Sequence, residues 1–477
     1  MTRIASGSRR ALLAATAFLV ACATNPVTGN RELSLVSESD EIAMGQEGAK
    51  QVIASIGLVP DNALQSYVSN LGLTMARASE RPNIPWQVNV LDDPIVNAFA
   101  LPGGPVFITR GILSHMNSEA QLVSVLGHEI GHITAKHSVA QMSQQQLGQI
   151  GLVAAIIVQP GLAQFGELAS QGLGLLFLKF GRGAETQSDE LGFKYMTQQG
   201  YDPHEMGEMF KTLERLSAGG DEGGRMPEWL STHPDPGNRV QKTQERIAAT
   251  TLPAGLKVER DRFLQRTAGL IFGDNPRLGF FRQNQFFHPD LKFQLDFPSG
   301  WKTQNTMQAV IAVSGQQDAM MALELAGNTS PGQGLSEFFQ QQGVQSQGSS
   351  TNAINGMPAA SAEFIAQTQQ GQLSGVVSYI QMAPNTYRLM AYTPSQSYNA
   401  YRNTFLQSVR SFRALTDPSI LAVQPVHVQV VRLTRAMTIA EFHQAYPSKI
   451  PLEQVALING VAASTSMPAG TLVKRVQ

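Results

Sequence analysis

The segment LVSVLGHEIGH at residues 122–132 contains the spacing H-E-x-x-H, with His128, Glu129 and His132. On a helix, side chains four residues apart lie on the same face, so both imidazoles can offer a ring nitrogen to one metal ion. The Glu129 carboxylate would then lie beside that ion, where it can take a proton from a water molecule. The residue types and spacing therefore predict a hydrolytic metal site.

A solvent-facing polar helix surface is the alternative reading of the same three residues. The neighbouring residues argue against it because they make the helix apolar on most of its sides: Leu122, Val123, Val125, Leu126, Ile130 and Ile133. Burying imidazole and carboxylate groups among such side chains is costly unless they are paired or bind a metal. The motif therefore favours a buried site, which needs a third ligand.

Catalytic zinc has three protein ligands and one open position. One continuation of H-E-x-x-H, that of the metzincins, requires Gly and His where this chain has Ala135 and Ser138, so that reading fails. His137 comes nine residues after His128. On a continuous helix this places it roughly 180° away, where it is expected to cap or pack at the helix end.

A later predicted helix offers two acidic residues, Glu185 and, one turn on, Asp189. Glu185 can serve as the third ligand, and Asp189 can accept a hydrogen bond from a ligating imidazole and fix its tautomer. An acidic, solvated helix surface is the alternative. We favour ligation because the apolar H-E-x-x-H helix already requires a third ligand.

Several motifs together resemble a known family, the gluzincin metallopeptidases that include HtpX, the BepA-type periplasmic proteases and the CaaX prenyl protease. The resemblance covers roughly residues 25–255. Its motifs are HEIGH, R-x-x-E-x-x-x-D at residues 182–189, NAFALPGG at 97–104, NPVTG at 25–29, and STHP at 231–234 with Arg239. It implies one Zn²⁺ per chain, bound by His128, His132 and Glu185, with Glu129 as general base and Asp189 hydrogen-bonded to a ligand.

The resemblance also implies that His233 lies near the metal, where a relative's counterpart can occupy the open position and hold the enzyme latent. The alternative is a turn histidine before Pro234. The oxyanion that develops during peptide hydrolysis needs a second donor beside the metal. His233 and Arg239 are the candidates, so both are counted with Glu129 as catalytic residues.

The elements that must position these residues are mostly helices. Asn117 or Ser118 can act as N-cap of the H-E-x-x-H helix, and Gln121 has the capping-box spacing from Ser118. Further helices are predicted at 38–56, 61–79 and 203–218, and short strands at Trp86–Leu91 and Val106–Arg110. The resemblance places the second strand beside the active-site helix, where an edge strand can bind an extended peptide through its main chain.

Two apolar segments, Ile150–Val158 and Leu173–Phe180, separate the metal-binding helices. Both are shorter than the roughly 18 residues needed to cross a membrane. A helical hairpin that covers the cleft is therefore favoured over partial insertion of the two segments into a lipid bilayer. The stretch Gly219–Gly224 has a composition typical of a mobile loop and leads to His233, which makes it a candidate gate.

The remaining sequence predicts two smaller regions. Residues 276–417 show the alternating pattern of several strands, and helices are predicted at 335–342 and 395–412. Together they predict a small α+β accessory domain that is weakly similar to PsbP-like domains. Residues 425–477 have strand, helix, helix, strand character, and their second half resembles a LysM module. Thr434–Thr438 lacks the usual Gly-Asp-Thr of that module, which weakens the expectation of glycan binding.

The N-terminal residues predict a lipoprotein. Arg3, Arg9 and Arg10 precede an apolar run, Ala11–Ala21, which ends in LVAC at Cys22 and resembles the bacterial lipobox. The resemblance implies a signal peptide at 1–21 and lipidation of Cys22, with several acyl chains giving a stable anchor. Cys22 is the only cysteine, so no internal disulfide can form. An ordinary signal peptide with an incidental cysteine is the alternative.

The sequence as a whole predicts an α+β protein: a mainly helical zincin-type metalloprotease domain with a small sheet at 22–275, then the accessory domain and the LysM-like segment. The net charge of −1 gives no reason to expect nucleic acid. We expect a zinc endopeptidase for misfolded or unassembled envelope proteins, on the periplasmic face of a bacterial membrane, with the outer membrane favoured. The alternatives are a chaperone that contacts the outer-membrane assembly machinery and a peptidoglycan-binding protein.

Overall fold

The structure is a computed structural model that describes residues 22–143, 180–219, 229, 233, 236–368 and 371–477. These residues have the mixed α+β architecture that the sequence predicts. No helix in this described part is long and apolar enough to cross a lipid bilayer. The predicted signal peptide, the two apolar segments and the glycine-rich stretch lie outside the described residues, apart from Phe180 and Gly219 at their ends.

The described strands and helices are numbered here in chain order. The strands are β1 (Cys22–Thr24), β2 (Arg31–Leu33), β3 (Gln87–Leu91), β4 (Ala98–Ala100), β5 (Pro105–Thr109), β6 (Ile271–Phe272), β7 (Phe280–Arg282), β8 (Gln285–His288), β9 (Phe293–Asp296), β10 (Lys302–Asn305), β11 (Ala309–Val313), β12 (Met320–Leu325), β13 (Val344–Ser350), β14 (Ala359–Thr368), β15 (Gly371–Met382), β16 (Asn385–Pro394), β17 (Arg413–Ala414), β18 (Val426–Arg432), β19 (Met437–Thr438), β20 (Ser466–Met467) and β21 (Leu472–Val476). The helices are α1 (Glu38–Ile56), α2 (Asn62–Arg77), α3 (Arg110–His115), α4 (Glu119–Thr134), α5 (Arg182–Gln198), α6 (His204–Gly219), α7 (Pro236–Ala249), α8 (Arg260–Thr267), α9 (Pro331–Phe339), α10 (Tyr398–Ser411), α11 (Pro418–Leu421), α12 (Ile439–Ala445) and α13 (Leu452–Ile458).

The described residues divide into two compact units. The first comprises those up to Ile53, Gly57–Gly273 and Val426–Gln477, and the second comprises Ala54–Ile56 and Asp274–Pro425. The domain boundaries proposed from the sequence stay predictions, although the units separate at nearby residues. The candidate metal-binding residues all belong to the first unit.

The small sheet of the first unit corrects one prediction. Its strand order is β3-β5-β4, with β5 parallel to β3 and antiparallel to β4. The predicted strand at Val106–Arg110 is therefore central rather than an edge, and β4 forms the edge. Strand β5 also ends at Thr109, one residue earlier than predicted. The Thr109 side chain accepts a hydrogen bond from the Ile112 amide and caps α3. The sequence missed β4 because three residues give too short an alternating pattern.

The NAFALPGG motif comprises β4 and the turn that joins it to β5. The Gly103 amide donates to the Glu41 carboxylate of α1 at 3.1 Å. Arg81 binds both oxygens of Glu41, at 2.7 and 3.1 Å, and donates to the carbonyl of Ile133 at 2.9 Å. Because Ile133 lies in the last turn of α4, this buried ion pair fixes the sheet, α1 and the H-E-x-x-H helix relative to one another.

Helices α4 and α5 pack closely because glycines face each other at the contact. A Cβ on Gly192 would lie 3.0 Å from the His128 amide nitrogen, and one on Gly131 would lie 3.2 Å from the backbone of Ser188. A Cβ on Gly127 would in turn lie 3.1 Å from the Gly192 Cα atom. The absence of side chains at these positions lets the two helices approach until their polar side chains meet.

The C-terminal segment packs within the first unit. It has the predicted order of strand β18, helices α12 and α13, and strand β21, with the short pair β19 and β20 in addition. Lys474 of β21 is buried and donates to the carbonyls of Ser114 and Met116, at 2.8 and 2.7 Å. Both carbonyls lie just before Ser118, the N-cap of α4. The segment therefore supports the start of the active-site helix.

The second unit is built on antiparallel sheets. Seven strands have the order β10-β11-β12-β16-β15-β14-β13, and four have the order β17-β9-β8-β7. The several strands predicted for this region are present. The helix predicted at 335–342 begins earlier, at Pro331, because Ser330 caps it. Strands β10 and β13 consist mainly of polar, exposed residues, so they give no alternating apolar pattern.

We predict opposite effects for two glycine-to-alanine substitutions. Gly192→Ala should lower the free energy of unfolding by about 1–3 kcal/mol, because its Cβ meets backbone atoms that cannot yield unless the helices separate. Gly207→Ala in α6, where a Cβ meets nothing within 4 Å, should raise it by up to about 1 kcal/mol through helix propensity. Urea unfolding of both variants measures the signs. Stabilisation by Gly192→Ala would contradict the close helix contact.

Candidate metal centre

Helix α4 presents His128 and His132 from one buried face. Ser118 caps the helix by accepting from the Gln121 amide at 3.1 Å. The Gln121 side chain accepts from the Asn117 amide, one residue before the N-cap, so the predicted capping box forms only in part. The Nε2 atoms of the two histidines lie 3.1 Å apart. The one-turn spacing therefore brings both imidazoles to one point.

Helix α5 brings a carboxylate to the same point. The Glu185 Oε2 atom lies 3.6 Å from His128 Nε2, and its Oε1 atom lies 3.5 Å from His132 Nε2. His233 adds its Nδ1 atom, 3.3 Å from His128 Nε2 and 2.9 Å from Glu185 Oε1. One ligand atom from each of these four buried residues lies within 4.8 Å of the others.

These separations fit a tetrahedral metal ion. Ligand atoms about 2.0–2.2 Å from zinc in tetrahedral geometry lie roughly 3.3–3.5 Å from one another. Burial, together with His128 and His137, lowers the pKa of His132 and favours the neutral imidazole that a metal requires. Three imidazole nitrogens facing one another in a buried space need a proton or a cation between their lone pairs. The donor set therefore suits zinc.

Asp189 lies one turn after Glu185 and contacts the other nitrogen of His128. Its Oδ1 atom is 2.9 Å from His128 Nδ1, the position predicted for a residue that fixes the tautomer. Arg239 of α7 binds both Asp189 oxygens, at 2.5 and 2.8 Å. Burial opposes the charged carboxylate, but Arg239 and His128 outweigh it and hold the pKa of Asp189 below its ordinary value.

Arg239 is itself enclosed by aromatic rings that the sequence reading did not connect with it. Its guanidinium carbon lies 4.2 Å from the ring centre of Phe210 and 4.5 Å from that of Trp229. Cation–π contacts of this kind stabilise a desolvated guanidinium. The arrangement holds Arg239 behind Asp189, with its Nη1 atom 3.5 Å from Glu185 Oε2.

Glu129 lies beside the four-residue cluster and has a free oxygen. Its Oε1 atom is buried and has no hydrogen-bond partner among the described residues. That atom lies 3.7 Å from His233 Nε2. A buried carboxylate oxygen without a partner is costly, so its position next to a metal-binding cluster is one where a water molecule would be held.

His233 lies against the site rather than in a solvent-facing turn. Its amide donates to the Trp229 carbonyl at 2.8 Å, and its ring stacks on Trp229 with the centroids 4.8 Å apart. Burial opposes the imidazolium, but the carboxylates of Glu185 and Glu129 outweigh it and raise the pKa of His233 above its ordinary value. The ring thus occupies the side of the cluster that three protein ligands would leave open.

His137 packs at the end of α4, as predicted, but its position around the helix differs from the prediction. Helix α4 ends at Thr134, and Lys136 has a positive φ of 59°, so the chain turns back. His137 is therefore not on the far side of the helix, and its Nδ1 atom lies 3.1 Å from His132 Nδ1. An early helix end was not apparent in the sequence because no Gly or Pro follows Thr134 before residue 138.

Comparison with known proteins agrees with this geometry. Residues 62–247 match the peptidase family M48 profile. The chain is 30% identical over 268 residues to the beta-barrel assembly-enhancing protease of Escherichia coli K12, which covers 54% of each chain. It is 33% identical over 229 residues to the mitochondrial metalloendopeptidase OMA1 of Schizosaccharomyces pombe, covering 46% of this chain and 65% of that one. The chain spans about half the length of the beta-barrel assembly-enhancing proteases that it matches.

Among solved structures, the cyanobacterial PsbP of Synechocystis aligns with 27% of this chain and 91% of its own, at 10% identity and a TM-score of 0.24. A likeness at that level carries no conclusion. The family match is different because it includes both helices of the candidate centre together with His233 and Arg239. The match of residues 62–247 to peptidase family M48 thus covers the whole candidate centre, and the suspected likeness to the beta-barrel assembly-enhancing proteases is confirmed.

Proposed function

We propose that this chain is a zinc endopeptidase that hydrolyses misfolded or unassembled proteins of the bacterial cell envelope. The observation that carries the proposal is the meeting of His128, His132 and Glu185 beside Glu129, whose buried Oε1 atom has no hydrogen-bond partner among the described residues. The substrate class is suggested by the relatives, whose name states that they enhance β-barrel assembly. Zinc, when bound, supplies a Lewis acid that polarises the scissile carbonyl and makes water more acidic.

In this proposal His128, His132 and Glu185 hold the zinc ion, and Glu129 is the general base. The Glu129 carboxylate takes a proton from the attacking water and passes it to the leaving amine. Asp189 keeps the proton of His128 on Nδ1, which leaves Nε2 free for the metal. Arg239 donates hydrogen bonds to both Asp189 oxygens and lies between the Phe210 and Trp229 rings. This arrangement favours a role in holding Asp189 over direct contact with the oxyanion.

The extended substrate would lie along β4. This strand pairs with β5 on one side only, and it belongs to the sheet beside α4. Main-chain hydrogen bonds to such an edge bind a peptide with little dependence on its side chains. The Trp229 amide donates to the Val96 carbonyl, at 3.4 Å, just before β4 begins. Trp229, on which His233 stacks, thus lies next to the edge that a substrate would use.

We propose that His233 holds the enzyme latent by filling the fourth coordination position. Its Nδ1 atom belongs to the four-atom cluster, and stacking on Trp229 keeps the ring there. A peptide substrate bound in an extended conformation would displace the His233 ring from this position. The competing role, in which His233 donates to the oxyanion, requires the ring to stay close without binding the metal.

The location proposed is the periplasmic face of a bacterial membrane, with an anchor on Cys22 and the outer membrane favoured. The lipobox-like sequence supports it, as does the likeness to relatives whose name states that they enhance β-barrel assembly. Contact with the outer-membrane assembly machinery and binding of peptidoglycan by residues 426–477 stay predictions.

Glu129→Gln should retain one zinc ion per chain and the folded state while casein hydrolysis falls by about 10²–10⁴-fold, the usual contribution of a general base. Metal analysis and a casein assay measure the two quantities. Glu190→Gln, at a carboxylate whose side chain is 58% exposed on α5, is the matched control and should be fully active. Unchanged turnover by Glu129→Gln would remove this residue from the mechanism.

The same variant separates a protease from a chaperone. In cells that lack the gene and have an envelope-assembly defect, the wild-type chain should restore growth and Glu129→Gln should not. Equal rescue by both would favour the chaperone alternative.

His233→Ala should raise kcat/KM for casein about tenfold if the ring blocks the metal, which corresponds to about 1.4 kcal/mol of competing interaction. Loss of activity in the variant would instead favour the oxyanion role. His204→Ala, at an exposed histidine on α6, is the control and should leave kcat/KM unchanged.

Cys22→Ser should abolish incorporation of labelled palmitate and move the protein from the membrane to the soluble fraction, because a serine cannot form the thioether. Casein hydrolysis by the purified variant should stay the same. Membrane retention equal to that of the wild type would contradict the lipid anchor.

A further inference from the structure

The second nitrogen of His132 contacts a residue to which neither the motif nor the family match assigns a role. His132 Nε2 faces the Glu185 carboxylate at 3.5 Å, while His132 Nδ1 lies 3.1 Å from His137 Nδ1. The two rings meet edge-on, with their planes 75° apart and their centroids separated by 5.0 Å. His137 is therefore on the side of His132 that faces away from the candidate metal.

The hydrogen bonds of His137 identify which of its nitrogens is protonated. His137 Nε2 lies 2.9 Å from Gln187 Oε1, an amide oxygen that can only accept. The proton of neutral His137 is therefore on Nε2, and its Nδ1 atom is an acceptor. The Ser188 hydroxyl lies 3.2 Å from the same Nδ1 atom and can also donate a hydrogen bond to it.

Two nitrogen lone pairs 3.1 Å apart would repel each other, so an acceptor at His137 Nδ1 favours a donor at His132 Nδ1. A neutral imidazole with its proton on Nδ1 has its lone pair on Nε2, which is the atom that faces the cluster. One arrangement of protons therefore satisfies the whole chain, from Gln187 through His137 to His132.

We propose that His137 is a positioning residue that fixes the tautomer and ring orientation of His132 for metal binding. This inference rests on the proposed zinc site. It gives the two histidine ligands parallel supports from one helix: Asp189 of α5 contacts His128 directly, and Gln187 and Ser188 of α5 act on His132 through His137. The stretch Glu185–Asp189 thus supplies a ligand and orients the other two.

The supports differ in charge, which gives the two ligands unequal character. Asp189 is a carboxylate and increases the basicity of His128, whereas the His137 acceptor is a neutral ring. Partners of this kind change metal affinity by about 10–100-fold when removed.

Zinc affinity, measured on the full chain by competition with a chromogenic chelator, tests the role of His137. His137→Leu keeps apolar bulk but has no acceptor, and the Kd for Zn²⁺ should rise by about 10–100-fold. His137→Asn places an oxygen near the position of Nδ1, and its Kd should stay within about threefold of the wild-type value. The Co²⁺ absorption spectrum should change in His137→Leu and be restored in His137→Asn.

A packing role for His137 makes the opposite prediction, because leucine would replace the ring at least as well as asparagine. Equal Zn²⁺ affinity in both variants and the wild type would overturn the inference, as would weaker binding by His137→Asn than by His137→Leu. His204→Leu, at an exposed histidine, is the control and should bind as the wild type does.

A folding control and a second variant cover the case in which His137→Leu does not fold. The thermal midpoint of each metal-free variant shows whether it folds. If His137→Leu does not fold, Gln187→Leu replaces it, since losing the acceptor for His137 Nε2 should weaken Zn²⁺ binding at least threefold; no change would overturn the inference. A wild-type chain that binds no Zn²⁺ would instead remove the proposed function on which the inference rests.

Discussion

The close contact between α4 and α5 is the constraint on which the site depends. The imidazoles of His128 and His132 and the carboxylate of Glu185 come from helices separated by about fifty residues of sequence. They meet because Gly127, Gly131 and Gly192 leave no side chains between the helix backbones. A wider spacing would leave the same residue types on the same faces without a common centre.

A contact this close concentrates polar groups in a buried space, which is favourable only if they are paired. The Asp189–Arg239 pair and the rings around the guanidinium supply part of that pairing. A metal ion among the nitrogens would supply the rest, because it neutralises Glu185 and replaces opposed lone pairs with bonds. Metal binding at this site would therefore stabilise the fold as well as enable chemistry.

Residues at the ends of α4 show how the rest of the unit holds this helix in place. Arg81 binds the carbonyl of Ile133 at its C-terminal end. Lys474 binds the carbonyls of Ser114 and Met116 just before its N-cap. A helix held at both ends keeps its imidazoles fixed, which the proposed exchange of a substrate with His233 would require.

The sequence was informative where spacing alone determines geometry. The i, i+4 spacing predicted that His128 and His132 share one face of α4 and that Glu185 and Asp189 share one face of α5, and these side chains do meet. It failed where a local break decides the outcome, as at Lys136, whose positive φ turns His137 back toward His132. It also missed β4, which exists through pairing with β5 rather than through its own pattern, and the docking of Lys474, which depends on contacts between distant residues.

Anomalous diffraction at the zinc edge from crystals of the full chain tests the central claim most directly. The account predicts one peak per chain within about 2.2 Å of His128 Nε2, His132 Nε2 and a Glu185 oxygen. No peak at that point in zinc-soaked crystals, or a peak whose ligands do not include Glu185, would contradict it.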